Sequence, residues 1–177
     1  MNPQSIRALV TGGGGGIGGA IADELLARGA SVLLVDRDAT SLARAALRLA
    51  RHGERVGTVT ADLTSSVDRQ RLGAEAAAWR GGINVLINNA GVNHFHMFAD
   101  QPPAQLDLAI AINLLAPMHL CQELLPQLQK QPEACILNTG SVFGTIGYPG
   151  YVVYSATKFA VRGFTEALRR ELADTNV

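Results

Sequence analysis

Cysteine is almost missing from this 177-residue chain: Cys121 and Cys135 are the only two, both in apolar contexts and outside any C-x-x-C pair. A disulfide framework and a thiolate zinc site are thereby excluded, and reduced, buried thiols in a cytoplasmic protein are expected. Net charge is missing too, since fifteen Lys and Arg balance fifteen Asp and Glu. No general attraction to nucleic acid or to a membrane surface follows from such a balance. The first residues lack a basic segment leading into a long apolar run, so no signal peptide is expected. An unbroken bilayer span is lacking as well, because the best stretch, residues 106–121, contains Asp107, Asn113, Pro117 and His119. His94 and His96 have no third ligand nearby, and a catalytic zinc needs three, so no metal is expected. Their segment, NHFHMF, is read instead as the lining of a substrate cleft. The nucleophile elbow G-x-S-x-G is not present, which argues against a serine hydrolase.

What the chain does have is a core. Hydrophobic content is 47% against 17% charged, the balance of a single well-buried domain over residues 1–177. Strand and helix signals alternate without repeat, linker or low-complexity segment. Strands are expected at 6–10, 31–35, 55–61, 83–88 and 134–139. Helices are expected from the glycines to about 26, at 39–51, from Thr64 or Ser65 to 79, at 103–129 and at 151–173. Five such units make an α/β doubly wound parallel sheet in three α/β/α layers. In such sheets ligands sit beyond the carboxyl ends of the strands, where Asp36, Asp62, residues 88–91 and 139–141 fall.

The chain is organised around its first turn, IRALVTGGGGGIG. An apolar run stops at Thr11 and opens into Gly12, Gly13, Gly14, Gly15 and Gly16, with Ile17, Gly18 and Gly19 starting a helix. Bare glycine main chain admits a ligand, and the free N–H groups of a helix start hold an anion such as a pyrophosphate. A flexible Gly-rich turn would read similarly. The deciding residue is an acid ~20 positions on at the next strand end, and Asp36 is there. Its carboxylate suits ribose hydroxyls and repels a 2′-phosphate, so NAD is expected over NADP, with Arg37 as the counter-argument. Arg44, Arg48, Arg51 and Arg55 line up beside the second helix and are read as a solvated face rather than a phosphate site.

Tyr154 and Lys158 stand four residues apart, on one face of the last helix. Free tyrosine titrates near ~10, too high for acid/base work at neutrality, and a neighbouring cation favours the phenolate. Tyr148 and Tyr151 compete for the role but have no lysine four residues later. Ser141 can point a hydroxyl at the same space or simply form a turn. Asn113 is unfavourable inside a helix unless its polar group is used. Pro117, four residues on, has no N–H for the Asn113 carbonyl, so that carbonyl is free to hold a water, or the helix is merely kinked.

These motifs resemble the short-chain dehydrogenase/reductase family. Thr11 to Gly18 is similar to its T-G-x-x-x-G-x-G, Asn88-Asn89-Ala90-Gly91 to its N-N-A-G, and Tyr154 to Lys158 to its Y-x-x-x-K. The resemblance runs the whole chain. It implies hydride transfer between NAD(H) and a secondary alcohol or ketone. Tyr154 would be the acid/base, Ser141 would hold the substrate oxygen, Lys158 would bind the nicotinamide ribose, and Asn113 would keep a relay water. Asp62 and Leu63 would flank the adenine, with Asn89, Ala90 and Gly91 along its ribose. The alternative is a nucleotide-binding module without turnover. Family members continue into further strands, so a truncated sheet with an open fifth-strand edge and little activity is expected. A homo-oligomer, dimer or tetramer, is expected from the apolar 103–129 helix and from the resemblance.

Overall fold

The computed structural model describes residues 1–177. Five apolar runs form the strands β1 (Arg7–Thr11), β2 (Ser31–Asp36), β3 (Val56–Thr60), β4 (Val85–Asn88) and β5 (Cys135–Asn138). All pairings are parallel, in the order β3-β2-β1-β4-β5. Leu9 sits level with Leu33 on one side and Leu86 on the other. Side chains alternate across the sheet, and both faces of the central strands β1, β2 and β4 are covered. Ala8, Val10, Val32, Leu34, Val85 and Ile87 pack on Ala22, Leu26, Leu42, Ala45 and Leu49, from α1 (Gly16–Ala27) and α2 (Ala39–Leu49). Leu9, Leu33, Val35 and Leu86 pack on the opposite layer with Leu72, Ala76, Leu120, Leu124 and Leu128. That layer contains α3 (Ser66–Ala78), α4 (Pro103–Ile110) and α5 (Ala116–Leu128). The last helix, α6 (Val152–Glu171), follows β5. Strand order reverses between β1 and β4, which opens a crevice at their carboxyl ends.

Four expectations need correction. The 103–129 helix is not continuous α-helix: a π turn, Ala111–Leu115, separates α4 from α5. Pro117 denies an N–H to carbonyls four and five residues back, and the chain widens there. Counted through the π turn, Pro103–Leu128 is a 26-residue apolar helix long enough to cross a bilayer by length and composition. It is a core helix, with Ala109, Ile112, Ala116, Leu120, Leu124 and Leu128 buried.

The arginine stripe is solvated at Arg44, Arg48 and Arg51, and Arg55 is the exception. Arg55 donates to the Leu26 and Ala30 carbonyls at 2.7 and 2.8 Å, and Arg51 pairs with Asp23. Both tie the end of α2 to α1. The thiols, finally, are not both buried: Cys121 is, but Cys135 is exposed, because its face of β5 lies beyond the α1–α2 cluster, which no β5 residue joins.

Candidate active site

The glycine turn is held open from below. Gly12 takes φ +66°, a backbone region costly for other residues. Gly13 N–H donates to the Val35 carbonyl at 3.0 Å, and Gly14 N–H to Asp36 Oδ2 at 3.0 Å. α1 starts on Gly15 with no side-chain cap, and its first helical bond runs from Gly19 N–H to the Gly15 carbonyl at 2.9 Å. The N–H groups of Gly16, Ile17 and Gly18 therefore stay available at the positive end of the helix dipole. A Cβ on Gly18 would collide with the Gly12 carbonyl, whereas nothing lies within 4 Å of a Cβ on Gly16. One glycine lets the turn close and the other leaves main chain bare to the cleft. Such a cradle fits a pyrophosphate.

The cleft is about 380 Å³ and is lined by Gly12, Gly16, Ile17, Gly18, Asp36, Arg37, Asp62, Leu63, Asn89, Ala90 and Gly91. Gly14 is absent from the lining and serves by orienting Asp36. The opposite oxygen of that carboxylate accepts from Asp38 N–H at 3.1 Å, so it is fixed at the end of β2. Asp62 is held below the usual carboxylate range by the Thr64 N–H and then by its hydroxyl. Arg69 is buried and donates to the Leu63 carbonyl at 2.9 Å, while Asp68 accepts from Asp62 N–H at 2.8 Å. Thr11 joins the two halves of the sheet. Its hydroxyl oxygen accepts from the N–H groups of Asn89 and Ala90, both at 3.0 Å.

Beyond this cleft stand the residues of the last helix. Lys158 is buried, its Nζ lies 5.7 Å from the Tyr154 ring centre, and it donates to the Thr139 carbonyl at 2.8 Å. Burial lowers its pKa from the ordinary lysine value. Ser141 follows β5 and its Oγ accepts from Phe143 N–H at 3.1 Å. It thus forms a turn and still has its own proton to donate. Ser141 and Lys158 line a second cavity of about 230 Å³ beside Asn138 and Gly140. Asn113 sits in the π turn with its side chain fully engaged. Oδ1 accepts from Val92 N–H at 2.8 Å, and Nδ2 donates to the Val92 carbonyl at 2.9 Å and to Thr157 Oγ1 at 3.3 Å.

Sequence reasoning missed Thr11, Asp68, Arg69, Val92 and Thr157 as supports of the site. Thr11 had a signal, as the residue that opens the glycine run. Asp68 and Arg69 reach back only six residues, but in no named motif, and Val92 and Thr157 are joined through Asn113 over 21 and 44 residues. Among His, Cys, Asp and Glu no group of three or more stands together to hold a metal ion.

The family model for short chain dehydrogenase matches residues 7–177. Nodulation protein G of Rhizobium meliloti (strain 1021) is 36% identical over 171 residues, covering 97% of this chain and 69% of that protein. D-beta-hydroxybutyrate dehydrogenase of Cupriavidus necator is 34% identical over 170 residues, covering 96% and 66%. A short chain dehydrogenase/reductase from Burkholderia phymatum, solved in complex with NAD, superposes with a TM-score of 0.95 at 29% identity, covering 100% of this chain and 64% of that one. The chain spans about two thirds of the length of these relatives. With the family model matched along nearly all of it, the chain belongs to the short-chain dehydrogenase/reductase family of oxidoreductases.

Proposed function

We propose that this chain carries the NAD-binding and acid/base half of an enzyme interconverting a secondary alcohol and a ketone. One observation carries the reading. The Lys158 ammonium lies against the Tyr154 ring at the same end of the sheet as the glycine cradle. In alcohol oxidation the Tyr154 phenolate takes the hydroxyl proton, and Lys158 stabilises that phenolate by its positive charge. Ser141 donates a hydrogen bond to the substrate oxygen. Asn113 holds the loop at Val92, and its carbonyl, denied the N–H of residue 117, can keep a water for returning the proton. An oxidised nicotinamide, when bound, supplies the acceptor for the hydride leaving the alcohol carbon. Asp36 supports NAD over NADP, because its carboxylate faces the cleft where a 2′-phosphate would bring like charge.

NADH absorbance with a panel of secondary alcohols tests this. Tyr154→Phe should lower kcat by at least ~100-fold while calorimetry shows NAD affinity nearly kept. Most of kcat surviving would assign the acid/base elsewhere. A second reading, dinucleotide binding without turnover, has one feature on its side. The β5 edge is open and Leu137 on that strand is 47% exposed, so the strand leading into Ser141 is uncovered, although Lys158 itself is buried. Binding without any NADH formation would favour it.

The same proposal includes self-association and a cytoplasmic setting. Leu115, Met118, Val152 and Phe159 are exposed on the helices, apolar area that a second copy would cover. Light scattering at micromolar concentration that shows only an 18.7 kDa species would refute it. Both cysteines are free thiols, as a reducing compartment allows.

A further inference from the structure

The chain has five Phe, three Tyr and one Trp, and all three tyrosines join Phe95 and Phe143 in one group. Phe143 is its centre. Its ring stacks on Tyr148 at 5.5 Å and 12°, lies 5.1 Å from Tyr151, and meets Tyr154 edge-on at 6.1 Å and 85°. Phe95 reaches in from the loop after β4 and meets the Tyr151 ring at 5.3 Å. That reach requires a glycine. The Phe95 ring fills the place a Cβ on Gly150 would take, and His96 N–H donates to the Gly150 carbonyl at 3.1 Å. The group is presented rather than buried, for Phe95 is 63% and Tyr148 56% exposed.

Free permanent positive charge is scarce around it. Between Arg80 and Arg162 the only Lys or Arg residues are Lys130 and Lys158. Lys130 follows α5 next to Gln131, which accepts from Arg7 at the far end of the sheet. Lys158 is buried and already donates to Thr139. Arg162 lines the cavity of Ser141 but is paired with Glu166 at 3.1 Å. A substrate carboxylate would therefore find no unpaired Lys or Arg at Tyr154, whereas a flat apolar group would find ring faces and edges to pack on.

We propose that the substrate of Tyr154 is an uncharged aryl ketone or the matching aryl-substituted secondary alcohol, its ring seated against Phe95, Phe143 and Tyr151. This rests on the oxidoreductase reading above, and separates the chain from its relative named for hydroxybutyrate, a hydroxy acid.

The test uses the 1–177 chain saturated with NAD at pH ~8, above the ordinary histidine range. Acetophenone and acetoacetate are titrated in turn, with side-chain aromatic resonances followed by NMR. Acetophenone should bind at least about tenfold more tightly and shift the Phe143 and Tyr151 rings. Phe95→Ala, at an exposed loop position, should remove most of that advantage, and Phe143→Ala should do the same in a second background. Equal or tighter acetoacetate binding, no binding of either probe, or a preference untouched by both substitutions overturns the proposal. The NAD titration made first keeps the two readings apart. Failure there defeats the oxidoreductase reading, and success there without aryl preference defeats only this one.

Discussion

Asn113 grips Val92 at both of its main-chain polar atoms, from a π turn 21 residues further along the chain. Val92 lines the glycine-turn cleft and Thr157 lies one residue from Lys158, so one buried amide links the cleft wall to the helix that carries Tyr154 and Lys158. Asn113→Ala leaves the Val92 N–H and carbonyl without partners. Unpaired buried polar groups cost about 1–3 kcal/mol each. The expected loss is about 2–4 kcal/mol in urea unfolding, accompanied by weaker NAD binding. A change under about 0.5 kcal/mol would mean that water replaces the amide at no cost.

Two glycines a short step apart should respond in opposite ways. Gly18→Ala forces a methyl into the Gly12 carbonyl and within 2.8 Å of Asn89 Nδ2. Overpacking of this kind typically costs about 1–3 kcal/mol, and a lowered melting temperature should report it. Gly16→Ala meets nothing, and alanine favours helix over glycine by roughly 0.8–1 kcal/mol. Its fold should be as stable as the parent, or more so. Its NAD affinity should nonetheless fall by about tenfold or more, because the methyl stands where phosphate approaches bare main chain. Unchanged NAD affinity in Gly16→Ala would remove the cradle from the binding site.

Asp36 has two tasks that one substitution separates. Asp36→Asn keeps an acceptor for the Gly14 N–H and deletes the charge. Calorimetry with both oxidised cofactors should then show NADP gaining on NAD by about tenfold, the scale of one charge contact at ~1.4 kcal/mol. Arg37, in the same cleft, is free to meet the 2′-phosphate once the carboxylate charge is gone. A ratio that does not move would show that discrimination lies elsewhere.

Lys158 should leave a signature in the pH dependence of stability. Burial holds its folded pKa below the ordinary 10.5. Between those two values the unfolded chain binds more protons than the folded one, so stability rises with pH there and is level below. Lys158→Met lacks the group. The stability of the parent relative to Lys158→Met should therefore climb as pH approaches 10.5 from the neutral side. A gap independent of pH would mean that the ammonium is as well solvated folded as unfolded.

Much of this site could be read in the chain because its signals are local. Glycine followed by an acid at a strand end, and a tyrosine four residues before a lysine, are short patterns with direct physical meaning. Asp36, Asp62, Leu63, Asn89, Ala90 and Gly91 consequently stand at the cleft where the strand ends put them. Element ends were less legible. The fourth strand starts at Val85 rather than 83, and Ser65 rather than Thr64 caps α3, choices made by pairing and by which hydroxyl reaches a free N–H. The π turn was visible only as a missing N–H at Pro117, since widening a helix depends on what packs against it. Cys135 looked buried for the same reason. Its apolar neighbours mark a strand, but only the packed fold shows that the α1–α2 layer does not extend over it.

The Thr11 hydroxyl accepts from Asn89 and Ala90, partners 78 and 79 residues away. The glycine cradle at the start of the chain is therefore unfinished until the fourth strand has docked beside the first. A nascent chain presents the complete turn early in synthesis and the other wall of the cleft only much later. Contacts of such sequence separation are slow to form. Dinucleotide affinity in a refolding reaction should therefore appear with the β1–β4 pairing and not with the first βαβ unit, which makes ligand capture a clock for completion of the sheet.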